Sequence, residues 1–167
     1  MALLTVAVIM LLSTTIGASD ARFTRVSVNP GSAFSAGTFS VTNSKSGAAV
    51  ITTSGLMPGG TANGTLTLTT QGNYTAAVTL TNGGITDTPS SPALSGALTL
   101  LVEDITGSAQ TLWSGTMSTF SSVSLGTIAT GATRTYRFTI TFVAGSAVAG
   151  LQNASTTLTL KFTGVAQ

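Results

Sequence analysis

The clearest signal along the chain is a two-residue alternation of apolar and polar side chains near the C-terminus. "TRTYRFTITFV", residues 133–143, puts Tyr136, Phe138, Ile140 and Phe142 on one face and Thr135, Arg137, Thr139 and Thr141 on the other. "TTLTLKFTGV", residues 156–165, repeats the pattern with Leu158, Leu160 and Phe162. A period of two belongs to β-strands with one face against a core. Earlier segments behave in the same way. "GTLTLTT", residues 64–70, sets Leu66 and Leu68 against threonines, and "YTAAVTLTNGG", residues 74–84, aligns Ala76, Val78 and Leu80 before Asn82-Gly83, which predicts a turn. "TFSV" at 38–41, "AAVITTSGL" at 48–56, "ALTLLVEDI" at 97–105 and "QTLWSGTM" at 110–117 complete the expected strands.

Punctuation between these runs supports the reading. Pro58-Gly59-Gly60 can only turn, and "ITDTPSSPALSG", residues 85–96, reads as a loop with two prolines. No segment has a convincing helical period; "GSAVAGLQN", residues 145–153, is the one place for a short helix. The predicted fold class is all-β: an antiparallel, jelly-roll-like β-sandwich over residues 34–167, with threonine outside and aliphatic and aromatic side chains within. Threonine suits that outer face because it is β-branched and neutral.

Composition changes the picture in one respect. Only 6% of residues are charged and mean hydropathy is +0.48, against roughly 25% charged residues in an ordinary soluble domain. A free monomer this apolar would expose sticky surface, so much of the surface is expected to be covered by neighbouring subunits, glycans or both. The six basic residues form no run, and the net charge is +2, which argues against nucleic acid as a partner.

The available chemistry is sparse. The chain has no His and no Cys, so it offers no imidazole base, no thiolate and no disulfide. Glu103 and Asp104 are neighbours and point to opposite faces of a strand, so they cannot share a proton. Asp87 with Asp104 is a candidate calcium pair only if loops bring the two together. A serine nucleophile would have to rely on Lys45 or Lys161 as its base. The expectation is no enzyme, no catalytic residue, no metal, no cofactor and no small-molecule substrate. Trp113 reads as a core or core-rim residue, and Arg134 and Arg137 as surface charges on opposite strand faces. Three N-x-[ST] sequons, at Asn63, Asn73 and Asn153, are candidate N-glycosylation positions.

The N-terminal segment is different. "MALLTVAVIMLL" is apolar but shorter than the roughly 20 residues a membrane-spanning helix needs. Residues 1–21 read as a leader, either a secretory signal ending near Ala18 or Ala21 or a retained apolar segment; the absence of a basic residue before Arg22 is unlike a signal. Next comes "RFTRVSVNP", residues 22–30, an alternating strand that precedes the domain. It has Val26 and Val28 on one face, Phe23 as a further anchor, and Pro30-Gly31 as a hinge. Residues 22–33 are thus a candidate donor strand and hinge that leaves its own domain and fills a slot in a neighbour. If the leader is retained, Leu4, Val6 and Val8 form an alternative donor. Arg22 and Arg25 are candidate partners for Glu103 or Asp104 of a neighbouring subunit.

Several blocks together carry a resemblance. "FSAGTFSV" at 34–41, "GLMPGGTANGTLTLTTQGNYTAAVTLT" at 55–81, "GATRTYRFTITF" at 131–142 and "LQNASTTLTLKFTGVAQ" at 151–167 resemble, in order and spacing, the blocks of the TasA/camelysin-like family of exported fibre-forming proteins, which includes archaeal bundling-pilus subunits. The resemblance covers most of the chain from about residue 22. It implies a jelly-roll-like sandwich, export with only a passing membrane contact, and head-to-tail polymerisation by donor-strand complementation. The product would be an extracellular, cell-surface filament, a pilus or biofilm fibre, whose partner is the chain itself, with lateral bundling and cell adhesion as further roles. Camelysin's classification as a metalloprotease finds no support here, since this chain has no His and no HExxH. The very low charge and the uncharged leader depart from the family pattern.

Two rival readings stay open at this level. One is a type-IV-like pilin with an N-terminal helical core, although Ser13-Thr14-Thr15 and Gly17 interrupt the apolar run. The other is a monomeric cell-surface binding module with an Ig-like sandwich.

Overall fold

The computed structural model describes residues 38–145 and 150–167. Among these, eight strands form two antiparallel sheets. In chain order they are β1 (Phe39–Asn43), β2 (Thr61–Gly72), β3 (Ala76–Thr88), β4 (Leu98–Asp104), β5 (Gln110–Thr116), β6 (Ser122–Ile128), β7 (Thr133–Phe142) and β8 (Ser155–Ala166). The larger sheet runs β1-β2-β7-β4-β5 and the smaller β6-β3-β8. The chain changes sheet after β2, β3, β5, β6 and β7, which is the winding of a jelly-roll-like sandwich. The all-β expectation stands. Short 3-10 turns at Leu94–Gly96 and Met117–Thr119 are the helical elements among the described residues.

The alternation read from the sequence sets the core. Leu66 and Leu68 of β2, Ala76, Val78 and Leu80 of β3, and Tyr136, Phe138 and Phe142 of β7 are all buried. β4 alternates without exception: Leu98, Leu100, Val102 and Asp104 face in, and Thr99, Leu101 and Glu103 face out. Register keeps the outer threonines together, with Thr61 opposite Thr141, Thr67 opposite Thr135 and Thr69 opposite Thr133. Such pairs fit a wet, uncharged sheet face.

Three local expectations need correction. Asn82-Gly83 does not turn the chain: β3 runs through it to Thr88, with a bulge between Asn82 and Gly84. The Asn82 side chain accepts the Gly84 N–H at 2.7 Å and donates to the Phe120 carbonyl at 3.0 Å. Gly84 takes φ +138, a conformation that only glycine adopts cheaply. The long partner β8 keeps the strand going past the bulge. As a result Ile85–Thr88, read as loop, are strand. Residues 48–56, expected as a strand, are irregular. Residues 150–153 form turns, so the short helix considered for 145–153 is absent there. One strand, β6, went unrecognised: "SVSLGTI" has three inward residues, Val123, Leu125 and Ile128, and Gly126 breaks their two-residue spacing.

The two long sides of the sandwich differ. On the β5/β6 side, Trp113 of β5 meets Phe120 edge-on, with ring centroids 4.9 Å apart, and closes the core rim as expected. On the β1/β8 side, Phe39 and Val41 of β1 approach β8 only around Gly164, where a Cβ would come within 2.7 Å of the Val41 Cγ2. Toward Ser155 the side is open. Three strands cannot cover five: at about 4.8 Å between neighbours the smaller sheet falls short by about 10 Å, or two strand widths.

Candidate assembly groove

The shortfall appears as a cavity of about 1880 Å³ along β8. Its floor includes Leu68, Leu100, Phe138 and Ile140. One wall is the inner face of β8, with Leu158, Leu160 and Phe162. The facing wall is the irregular segment between β1 and β2, with Val50, Ile51 and Leu56. Burial marks the same gap. Leu158, Leu160, Phe162 and Ile140 occupy inward positions yet are only half-buried, whereas Val78 and Leu80 of the adjacent β3 are buried completely. Aliphatic side chains aimed into a core and left half wet lose part of the roughly 25 cal/mol per Å² that burial supplies.

The backbone is unsatisfied on the same line. Among the described residues β8 pairs only with β3, over twelve positions from Thr88↔Ser155 to Ala76↔Ala166. Its other edge has alternate N–H and C=O groups with no strand partner among the described residues. A groove with an apolar floor beside a free strand edge can accept an extended peptide. The edge supplies main-chain hydrogen bonds, and the floor takes alternate side chains.

The described acidic side chains, Asp87, Glu103 and Asp104, lie outside the groove lining and are engaged, whereas Lys45 and Lys161 line it. Arg134 pairs with Asp104 at 2.8 Å, and Arg137 with Glu103 at 2.9 Å. The first pair is on the inner face and the second on the outer, as the parity of their positions requires. Both carboxylates thus have an arginine of their own chain, while Arg22 and Arg25, considered as partners for them from a neighbour, lie outside the described residues. Burial alone would raise the Asp104 carboxyl, but Thr106 and Arg134 outweigh it and hold the group below the ordinary value. Asp87 behaves alike: burial pushes it up, while the Ser95 hydroxyl at 2.7 Å and the Ser95 N–H at 2.8 Å bring it down. Asp87 and Asp104 are therefore held by different partners and do not form the calcium pair considered from the sequence. Among the described residues no three metal-ligating side chains cluster.

Asn63, Asn73 and Asn153 are all exposed. Asn63 lies on β2, Asn73 follows its end, and Asn153 sits in the turn before β8 with φ +60. The donor candidates Phe23, Val26 and Val28, the alternatives Leu4, Val6 and Val8, the hinge Pro30-Gly31, and Arg22 and Arg25 lie outside the described residues. The acceptor side was not read from the sequence, although the inward faces that build it were. No family model matches this chain, and no curated protein matches it.

Proposed function

We propose that this chain is the structural subunit of an extracellular filament, polymerising head to tail by donor-strand complementation, as its resemblance to the TasA/camelysin-like family implies. The observation that carries the reading is the twelve-residue edge of β8, unpaired among the described residues, beside an apolar groove. The proposed occupant is residues 22–30 of a second copy. Nine extended residues reach about 30 Å, and β8 spans about 40 Å, so the donor fits along the edge. Val26 and Val28 would enter the groove and cover Leu158, Leu160 and Phe162, with Phe23 as an outer anchor. Pro30-Gly31 would let the strand leave its own domain. Because each copy gives its strand to the next and receives one from the last, the contact does not close, and a filament results. The reading involves no catalytic step, metal or cofactor. The scarcity of charge fits the same role, since close-packed copies would otherwise repel one another.

Electron microscopy of the exported protein tests this directly. Deleting residues 22–30 is expected to leave monomers, and a peptide of that sequence added to the deletion variant is expected to protect alternate β8 amides from exchange. Unchanged filaments from the deletion variant would reject the proposal. N-terminal sequencing of the exported protein decides between residues 22–30 and the alternative donor around Leu4, Val6 and Val8.

A further inference from the structure

Residues 48–54 form the second wall of the groove, and their properties do not match. The sequence "AVITTS" is rich in β-branched residues, the kind that favours strands. Yet the segment is irregular, and among the described residues positions 49–56 neither donate nor accept a backbone–backbone hydrogen bond. It is not loose, however. Val50 and Ile51 pack against the core, and they lie directly over the inner face of β2 at Gly64. A Cβ there would land on the Val50 carbonyl oxygen and within 2.9 Å of the Ile51 side chain. Leu56 adds a second anchor at the far end. Gly47 and Gly55, with φ +75 and +65, bracket the stretch with turns that side-chain-bearing residues rarely make.

From this placement we infer that residues 48–54 are a latent strand that pairs with the free edge of the incoming donor, so that the donor is held by β8 on one side and by 48–54 on the other. The inference rests on the donor-strand reading and adds a second partner to it. Three observations converge. The segment and β8 both line the groove, its backbone groups at 49–56 have no backbone partner among the described residues, and its side chains are already seated, so pairing requires only a local rearrangement between two glycine hinges. The missing width fits as well, since the smaller sheet is short by two strand widths and the donor fills one of them. A strand paired on one edge alone would leave its other edge open; pairing on both edges leaves none.

The test uses the full chain carrying Val26→Asp and Val28→Asp, which disables its own donor, with a synthetic peptide of residues 22–30. Amide exchange is followed at β8 and at 49–54. Slower exchange at both sites supports the clasp. Slower exchange at β8 with 49–54 unchanged or faster overturns it and leaves the donor reading standing. Protection at neither site overturns both. The same chain with Gly64→Ala, whose new methyl evicts the Val50 carbonyl, is expected to release the peptide faster. Loss of two or three backbone hydrogen bonds corresponds to roughly tenfold to a hundredfold. Ile51→Ser, which leaves β2 untouched, is expected to act in the same direction should Gly64→Ala fold poorly. Equal release rates in both variants and the parent would refute the clasp.

Discussion

Tyr136→Phe tests how the two sheets are joined. Tyr136 stands on β7 in the larger sheet and is fully buried, and its hydroxyl donates to the Leu125 carbonyl of β6, in the smaller sheet, at 3.1 Å. Phenylalanine keeps the ring and removes only the oxygen, so the packing is unchanged and the Leu125 carbonyl is orphaned. That costs about 1–2 kcal/mol, or a fall in melting temperature of about 4–7 °C for a domain of this size. Alkaline pH supplies the second half of the experiment. Burial first, and then the nearby Asp104 charge, pushes the Tyr136 pKa up from 10.0 to about 12, against a smaller opposing pull from Arg134. The folded pKa is above the unfolded one, so folding favours the protonated phenol. Its contribution is complete below pH 10 and is lost as pH rises through about 12. A two-unit shift amounts to about 3 kcal/mol. Thermal unfolding by circular dichroism at pH 7 and across pH 9–12, with phenolate absorbance followed in parallel, reads both effects. Because the chain has two tyrosines, the variant leaves Tyr74 alone, and the difference spectrum isolates Tyr136. A variant as stable as the parent at pH 7 would refute the inter-sheet bond. Parallel alkaline losses in variant and parent would refute the titration argument.

Other substitutions separate the remaining features. Arg134→Met leaves the buried Asp104 carboxylate without its cation and is expected to cost about 1–2 kcal/mol near pH 7. Asp104 titrates below its ordinary value, so its contribution holds above pH 4 and is lost as pH falls through the folded pKa; the cost, read by denaturant titration, should shrink in acid. Arg137→Met, at the more exposed outer pair, is expected to cost less than about 1 kcal/mol, and less still in high salt. Among the described residues the buried Thr70 hydroxyl has no hydrogen-bond partner, so Thr70→Val should raise stability by about 1 kcal/mol; a destabilised variant would reveal a partner for that hydroxyl. Gly72 takes φ +110, and a Cβ would strike the Thr38 carbonyl that accepts the Asn73 N–H. Gly72→Ala should therefore cost at least about 2 kcal/mol and speed exchange across β1.

Where alternation is unbroken and the residue type agrees with it, the sequence sufficed. β2, β4 and β7 lie within a few residues of the alternating runs, and their inward sets are the core. Legibility failed where the deciding partner is distant along the chain. Asn82-Gly83 has the chemistry of a hairpin turn, but β8, some eighty residues later, pairs straight through it, and tertiary pairing overrode the local preference. Residues 48–56 failed the other way: the propensity is present, and the described residues supply no strand for them to join. β6 was missed because Gly126 breaks its alternation, with φ +84 and a register shift opposite Val78/Thr79. The groove itself was out of reach. Leu158, Leu160 and Phe162 read as ordinary core, and nothing in a single strand tells how many strands its sheet will hold.

Among the described residues the four sheet edges differ, and β8 is the one that fits the proposed assembly. β1 has five residues, β5 seven, and β6 seven with a bulge. Short or bulged edges are the usual defence against unwanted pairing. β5 and β6 are further joined at their side of the sandwich by Trp113 and Phe120. β8 has twelve residues, no proline, and one charged side chain, Lys161, which is on the outer face. Its bulge relative to β3 bends the partner and leaves β8 continuous from Ser155 to Ala166. A long edge with one charge over half-buried leucines would be an aggregation hazard in a protein meant to stay monomeric. Here the inward face is graded, Leu158 and Leu160 toward the open end and Gly164 under Val41 at the closed end. On the proposed reading, an entering strand would be admitted from one end and stopped at the other, which would set its register. An edge that invited pairing without such a stop would favour slipped, sheet-like aggregates. If the chain polymerises as proposed, Gly164→Ala, which pushes on Val41 at 2.7 Å, should shift or broaden the subunit repeat of the filament, measured by electron microscopy, and a repeat identical to the parent's would show that register is set elsewhere.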